Sequence, residues 1–145
     1  KVMIAIDLEG GHEKILRKAI ELIKDQQTKV ILLHAGYFPV PTYSGMYGEG
    51  LYVPKDFYLD YNDVRLKLLP ELESLAMEHG LSADCARVEF GRPVDTILEM
   101  AENEKVDLIV MGSHGKHGFG LLLGSTANGV LHHAKCDVLA VRVHE

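Results

Sequence analysis

Short apolar runs and helically spaced apolar positions take turns along this chain. Val2 to Ile6 is an apolar run closed by Asp7, and after Gly10-Gly11 the positions Ile15, Leu16, Ala19, Ile20, Leu22 and Ile23 recur at helical spacing. Lys29 to Ala35 is rich in Val, Ile and Leu and reads as a buried strand. Tyr58 to His79 places Val64, Leu68, Leu69, Leu72, Leu75 and Ala76 on one helical face, with a kink expected at Pro70 and a stop at Gly80. Ala83 to Phe90 alternates as a strand, Val94 to Asn103 repeats as a helix, and Asp107 to Met111 is a strand. Ser125 to Ala134 is a helix and Asp137 to Val143 a last strand. Strand and helix alternating end to end predict a single α/β domain over residues 1–145. It has a parallel sheet with helices on both faces, joined by right-handed crossovers.

Two stretches break the alternation. From Gly36 to Lys55 no periodicity survives, and all six tyrosines fall between Tyr37 and Tyr61. A connection this long is uncommon in a compact domain unless it has a task. Leaving the carboxyl end of the second strand, it is a candidate lid or subunit contact, with an ordered surface insertion as the equal alternative. The second stretch, Met111 to Thr126, carries Gly112, Gly115, Gly118, Gly120 and Gly124 between a strand and a helix. Glycines let backbone N–H groups turn toward a ligand, and the following helix start adds unpaired donors and a positive dipole end, which together suit a phosphate. The hydroxyls of Ser125 and Thr126 can cap that helix or touch the phosphate. Ordinary turn and capping chemistry explains one such glycine, not five.

The glycine pattern is not a Walker A loop, since His117 follows Gly115-Lys116 where Ser or Thr is required, and Val110 stands where its first glycine belongs. Nor is it a dinucleotide fingerprint: Gly118-x-Gly120-x-x-x-Gly124 is one residue too long and lies late in the chain. Gly112-x-x-Gly115 followed by Gly124-Ser125 resembles the nucleotide-binding motif of the universal stress protein family. Ile4 to Asp7, Leu32 to Ala35, Gly91-Arg-Pro93, Ala101 to Gly115 and Cys136 to Arg142 extend the resemblance over nearly the whole chain. Between Gly115 and Gly124 stand eight residues where the commonest family form has nine.

The resemblance implies a three-layer sandwich, similar to the adenine-nucleotide alpha-hydrolase fold, with a five-stranded parallel sheet of order 3-2-1-4-5. The first and fourth strands then lie side by side with crossovers leaving in opposite directions, and ligands bind at such a switch point beyond the carboxyl ends of the strands. Asp7 and Gly112, chosen for different reasons, meet in that crevice. By the same resemblance Asp7 contacts the adenine end of ATP, the backbone at Ala35 and Met111 lines the base, and Gly112 approaches the ribose. Gly115, Gly124, Ser125 and Thr126 surround the phosphates, and Ala5 belongs to the same cofactor-binding set. His114 and His117, inside the glycine stretch, can donate to phosphate when protonated, and Lys116 can reach a γ-phosphate. Glu9, with Gly10-Gly11 beside it, is the carboxylate that could hold Mg²⁺ through water, although plain surface exposure suits it better. The last strand, Val138 to Val143, is an apolar edge that needs cover; in the resembling family it pairs across a two-fold axis, implying a homodimer.

A formal net charge of −6 and no Lys/Arg cluster argue against nucleic acid and against anionic membrane surfaces as partners, and the apolar runs are too short to span a bilayer. Two cysteines without CxxC spacing, Cys85 in the third strand and Cys136 before the last, read as buried free thiols of a cytoplasmic protein. The eight histidines have no metal-ligand spacing, and His34 reads as a hydrogen-bonded core residue. No catalytic residues are identified: a nucleophile elbow, a paired-carboxylate arrangement and a metal holder for phosphoryl transfer are all missing. The expectation is an ATP-binding sensor or interaction module of the stress response, with hydrolysis at most slow. Alternatives are a slow ATP hydrolase and a family member that acts by dimerisation without ATP. A nucleotidyl-transferring enzyme would need HIGH or SGGxDS motifs, and a phosphoacceptor receiver domain an Asp where Phe90-Gly91 stands.

Overall fold

Five strands and four helices follow one another in the computed structural model, which describes residues 1–23, 25, 27–37, 61–114 and 123–143. The strands are β1 (Val2–Ile6), β2 (Val30–Gly36), β3 (Ala86–Phe90), β4 (Leu108–Gly112) and β5 (Asp137–Val141). The helices are α1 (His12–Leu22), α2 (Tyr61–Glu78), α3 (Pro93–Asn103) and α4 (Ser125–His133). All pairings are parallel and the order is β3-β2-β1-β4-β5. This is the architecture the alternation and the resemblance imply.

Side chains alternate across each strand, so one sequence pattern feeds two cores. Ile4, Ile6, Leu32, Val88, Val110 and Val141 pack with Ile15, Leu16 and Ala19 of α1 and Leu72, Leu75 and Ala76 of α2. Met3, Ala5, Ile31, Leu33, Ile109 and Met111 pack on the other face with Ile97 and Ala101 of α3 and Ala127 and Val130 of α4. Because both faces are covered, the central strands read as continuous apolar runs. Helix α2 runs through Pro70 and ends as foreseen at Gly80, whose φ of 76° allows the closing bond from Leu81 N–H to Ala76 C=O at 2.9 Å. His34 is the structural residue expected: its Nδ1–H donates to Ile6 C=O at 3.2 Å.

Three expectations are corrected. Ala83–Cys85 is a 3-10 turn, closed by Cys85 N–H to Ser82 C=O at 3.1 Å, and β3 starts only at Ala86. Ala83 and Asp84 are weak strand formers, and the turn lets the chain rise from α2 into the sheet. The last strand ends at Val141, because its partner ends at Gly112, opposite Val141; Arg142 and Val143 lie beyond the ladder. Both cysteines are free but only half-buried, Cys85 in the 3-10 turn and Cys136 ahead of β5. Partial burial still raises both thiol pKa values, and for Cys136 Asp137 and Asp107 add to the rise. Among the described residues, no helix is long and apolar enough to cross a membrane.

Candidate nucleotide site

The carboxyl ends of β1, β2 and β4 bring most of the sequence-predicted residues together. Ala5 is paired with Met111 in the sheet, and Ala35 belongs to the same α3/α4 face as both. Asp7 follows Ile6 at the end of β1. It does not cap α1, whose N-cap is Gly11 in a left-handed conformation without a side-chain cap. Its Oδ1 instead accepts the Glu9 N–H at 3.0 Å, and Gly10 N–H bonds Asp7 C=O at 3.4 Å, so the aspartate shapes the turn into α1.

Gly112 is needed for packing. A Cβ there would meet Ile15 Cδ1 at 3.1 Å, Val143 Cγ2 at 3.1 Å and His114 C=O at 3.2 Å. Gly11, at φ 75°, is closed off by the same valine, since a Cβ there would overlap Val143 Cγ1. Val143, two residues after β5, therefore packs between the β1–α1 turn and the end of β4. The sequence reading missed this, taking Val143 for a strand residue.

Ser113 was also missed. It is the only polar residue fully buried among the described residues. Its N–H donates to Val141 C=O at 2.7 Å, its C=O accepts the Gly124 N–H at 2.8 Å, and its Oγ lies 2.8 Å from His114 Nδ1. The bond to Gly124 brings the two ends of the glycine stretch together. A polar residue after a buried strand, between a packed glycine and a histidine, was the available signal.

Gly124 is the N-cap of α4, with φ −62° and ψ 155°, and no side chain caps the helix start. Ser125 is exposed and Thr126 half-buried on its first turn. The first turns of α1, α2 and α3 hold Glu13, Asp63 and Asp95, whereas that of α4 holds no acid. Its positive dipole end is thus uncompensated by any carboxylate in its own first turn, an arrangement that favours an external anion. Gly115, Lys116, His117, Gly118 and Gly120 lie outside the described residues, as does the tyrosine-rich segment apart from Tyr37 and the backbone of Tyr61. Among the described residues no cluster of three His, Cys, Asp or Glu could hold a metal ion.

The sequence profile of the Universal stress protein family matches residues 1–142. The chain belongs to the universal stress protein family. Among universal stress proteins it is 39% identical, over 99% of its length and 94% of the relative's, to universal stress protein A homolog 2 of Coxiella burnetii. The hypothetical protein MJ0577 has a similar structure, with a TM-score of 0.69 at 26% identity, covering 100% of this chain and 97% of that one. A universal stress protein solved in complex with cAMP matches with a TM-score of 0.65 at 27% identity, over 99% and 96% of the two chains.

Proposed function

We propose that this universal stress protein binds an adenine nucleotide, ATP above all, and acts in the cytoplasm as a nucleotide-dependent sensor or interaction module of the stress response. The observation that carries the reading is the acid-free, uncapped first turn of α4, which starts where the ends of the glycine stretch are joined by the Gly124–Ser113 bond. Phosphate oxygens would take the N–H groups of that turn together with Ser125, Thr126 and Gly115. Ala5, Ala35 and Met111 offer an apolar wall for the base at the ends of three adjacent strands, and Asp7 keeps an oxygen for the adenine or ribose. Support also comes from the cAMP complex of a related protein. Bound Mg²⁺ would sit on the phosphates, with Glu9 as the candidate carboxylate, reached through water.

Gly124→Val tests the site. Its backbone dihedrals are open to any residue, so the variant should fold, with a melting temperature lowered only modestly by the poorer N-cap, while calorimetric titration with ATP loses its signal. Unchanged ATP affinity in the folded variant rejects this site.

The same reading includes a homodimer through β5. Among the described residues the strand leaves one side unpaired, and Val138, Leu139 and Ala140 are all half-buried on it, whereas the opposite edge strand β3 carries exposed Arg87 and half-buried Glu89. Sedimentation at micromolar concentration should give a dimer that Val138→Glu dissociates; a monomeric wild type removes this part.

A further inference from the structure

We infer that a recess at the amino end of the sheet, between the ends of α3 and α4, is a binding site apart from the crevice, and that it takes a small carboxylic acid of about benzoate size whose carboxylate pairs with Lys105. The recess measures about 210 Å³, and Leu98, Ala101, Val106, Ala134 and Cys136 supply its apolar lining. An apolar cavity of roughly 150 Å³ already admits benzene. The space therefore suits a single ring or a short branched chain, with one polar group left to fix its orientation.

The charge of that group follows from what the protein leaves over. Two polar side chains of the recess are already engaged: Lys135 Nζ bonds Glu102 Oε1 at 2.7 Å, and His133 Nδ1–H donates to Gly129 C=O at 2.9 Å. Lys105 lines the same recess, yet among the described residues it has no carboxylate partner. The helix ends do not offset its charge. The carbonyls of Met100, Ala101 and Glu102 accept the N–H groups of Glu104, Val106 and Lys105, and Val130 C=O accepts that of Ala134, so the negative dipole ends are capped from within.

Lys105 also stands where glycine is the usual choice. Helices α2 and α3 end in the same motif, closed by Leu81 N–H to Ala76 C=O and by Val106 N–H to Ala101 C=O, both at 2.9 Å. In α2 the left-handed residue of the motif is Gly80, at φ 76°. In α3 it is Lys105, at φ 52°, the one non-glycine residue with positive φ among the described residues. A side chain at that angle strains the backbone, and because Lys105 is exposed, core packing does not require it. A contact made by its ammonium with a ligand accounts for a lysine held there.

Sodium benzoate titrated into the full nitrogen-15-labelled chain tests the site. The amides of Lys105, Val106, Ala134 and Cys136 should shift saturably, half-way at roughly 1–10 mM, and the neutral isostere benzamide should bind roughly threefold to tenfold more weakly. Lys105→Gly removes the charge and the strain together. It should weaken benzoate to the level of benzamide while raising the melting temperature by roughly 2–4 °C. Lys105→Gln removes the charge alone, and should weaken benzoate as much with the melting temperature unchanged. Ala134→Leu fills the recess and should abolish binding of both probes. Amides that do not move or do not saturate, equal affinity for benzoate and benzamide, or full benzoate affinity in Lys105→Gln or in folded Ala134→Leu would overturn the assignment. A Lys105→Gly chain that melts no higher would do the same, because the lysine would then need no ligand to explain it.

Discussion

The amino end of the sheet and the crevice at its carboxyl end are built differently. At the amino ends of the strands, where helix C-termini gather, cations meet carboxylates: Lys1 Nζ bonds Glu104 Oε2 at 3.0 Å and Glu104 C=O at 2.7 Å, and Lys135 Nζ bonds Glu102 Oε1 at 2.7 Å. Backbone bonds from Val2 N–H to Lys29 C=O and from Asp107 N–H to Lys1 C=O, both 2.9 Å, complete the lashing. At the carboxyl ends, where helix N-termini gather, ion pairs also occur on the β3 side, Arg65 with Glu89 and Arg92 with Asp95. At the crevice between β1 and β4, however, glycines, one buried serine and main-chain bonds make the contacts, and the first turn of α4 carries no acid. One end is lashed by ion pairs; at the other, the start of α4, unlike those of α1, α2 and α3, lacks a first-turn carboxylate, the feature on which the proposed nucleotide site rests. Parallel topology produces this asymmetry, since every strand-to-helix crossover aims a positive helix end at the same edge.

The largest expected effect comes from disturbing the crevice end where it is packed. Gly11→Ala forces a Cβ into Val143 at a left-handed φ, and should cost about 1–3 kcal/mol. Chemical denaturation should show this loss, and Val143→Ala in the same chain should recover part of it. If Gly11→Ala alone left the unfolding midpoint in place, Val143 would not be packed there.

Next comes the electrostatic asymmetry itself. Thr126→Glu gives α4 the acidic first turn of its three sister helices, which should leave stability unchanged or raise it by about 0.3–1 kcal/mol. The same carboxylate should repel phosphate and weaken ATP about tenfold or more. Thermal melts and ATP titrations on one sample read both, and opposite signs are required. If both fell together, the substitution would have damaged the fold instead.

The smallest effects lie at the lashed end. Lys135→Ala removes a pair whose side chains are 77% and 63% exposed, and should cost less than about 1 kcal/mol without changing ATP affinity. Glu104, hydrogen-bonded by Lys1, has its carboxyl pKa held below the usual range. Its contribution is therefore present above the unfolded-state pKa and vanishes as pH falls through the lower folded-state pKa. Denaturation of Glu104→Gln should show a deficit at pH 6 that shrinks as pH falls below the ordinary glutamate range; a deficit independent of pH would mean lost packing instead of lost charge.

Much of this was readable from residue patterns because parallel strands and amphipathic helices write themselves in different periods. The start of α4 was legible as Gly124-Ser125-Thr126, and the stop of α2 as Gly80. What escaped depended on partners distant in sequence. Val143 carries on the apolar pattern of β5, yet leaves the ladder because β4 has ended at Gly112; only the neighbouring strand's length decides that. Ser113 looked like one more small residue in a glycine-rich stretch, since nothing local reveals that Val141 and Gly124 both bond its backbone. For Asp7, local and distant claims coexist: the turn to Glu9 uses one oxygen, and the crevice faces the other reading.

The bond from Gly124 N–H to Ser113 C=O also bears on how such a chain can vary. By tying both ends of the intervening stretch to one peptide group, it makes the number of residues between them a nearly free parameter. Changing the ten residues between Ser113 and Gly124 by one alters the loop-closure entropy by only about 0.1 kcal/mol. Length variants here are therefore close to neutral for folding, and selection on ligand preference is left free to set the length.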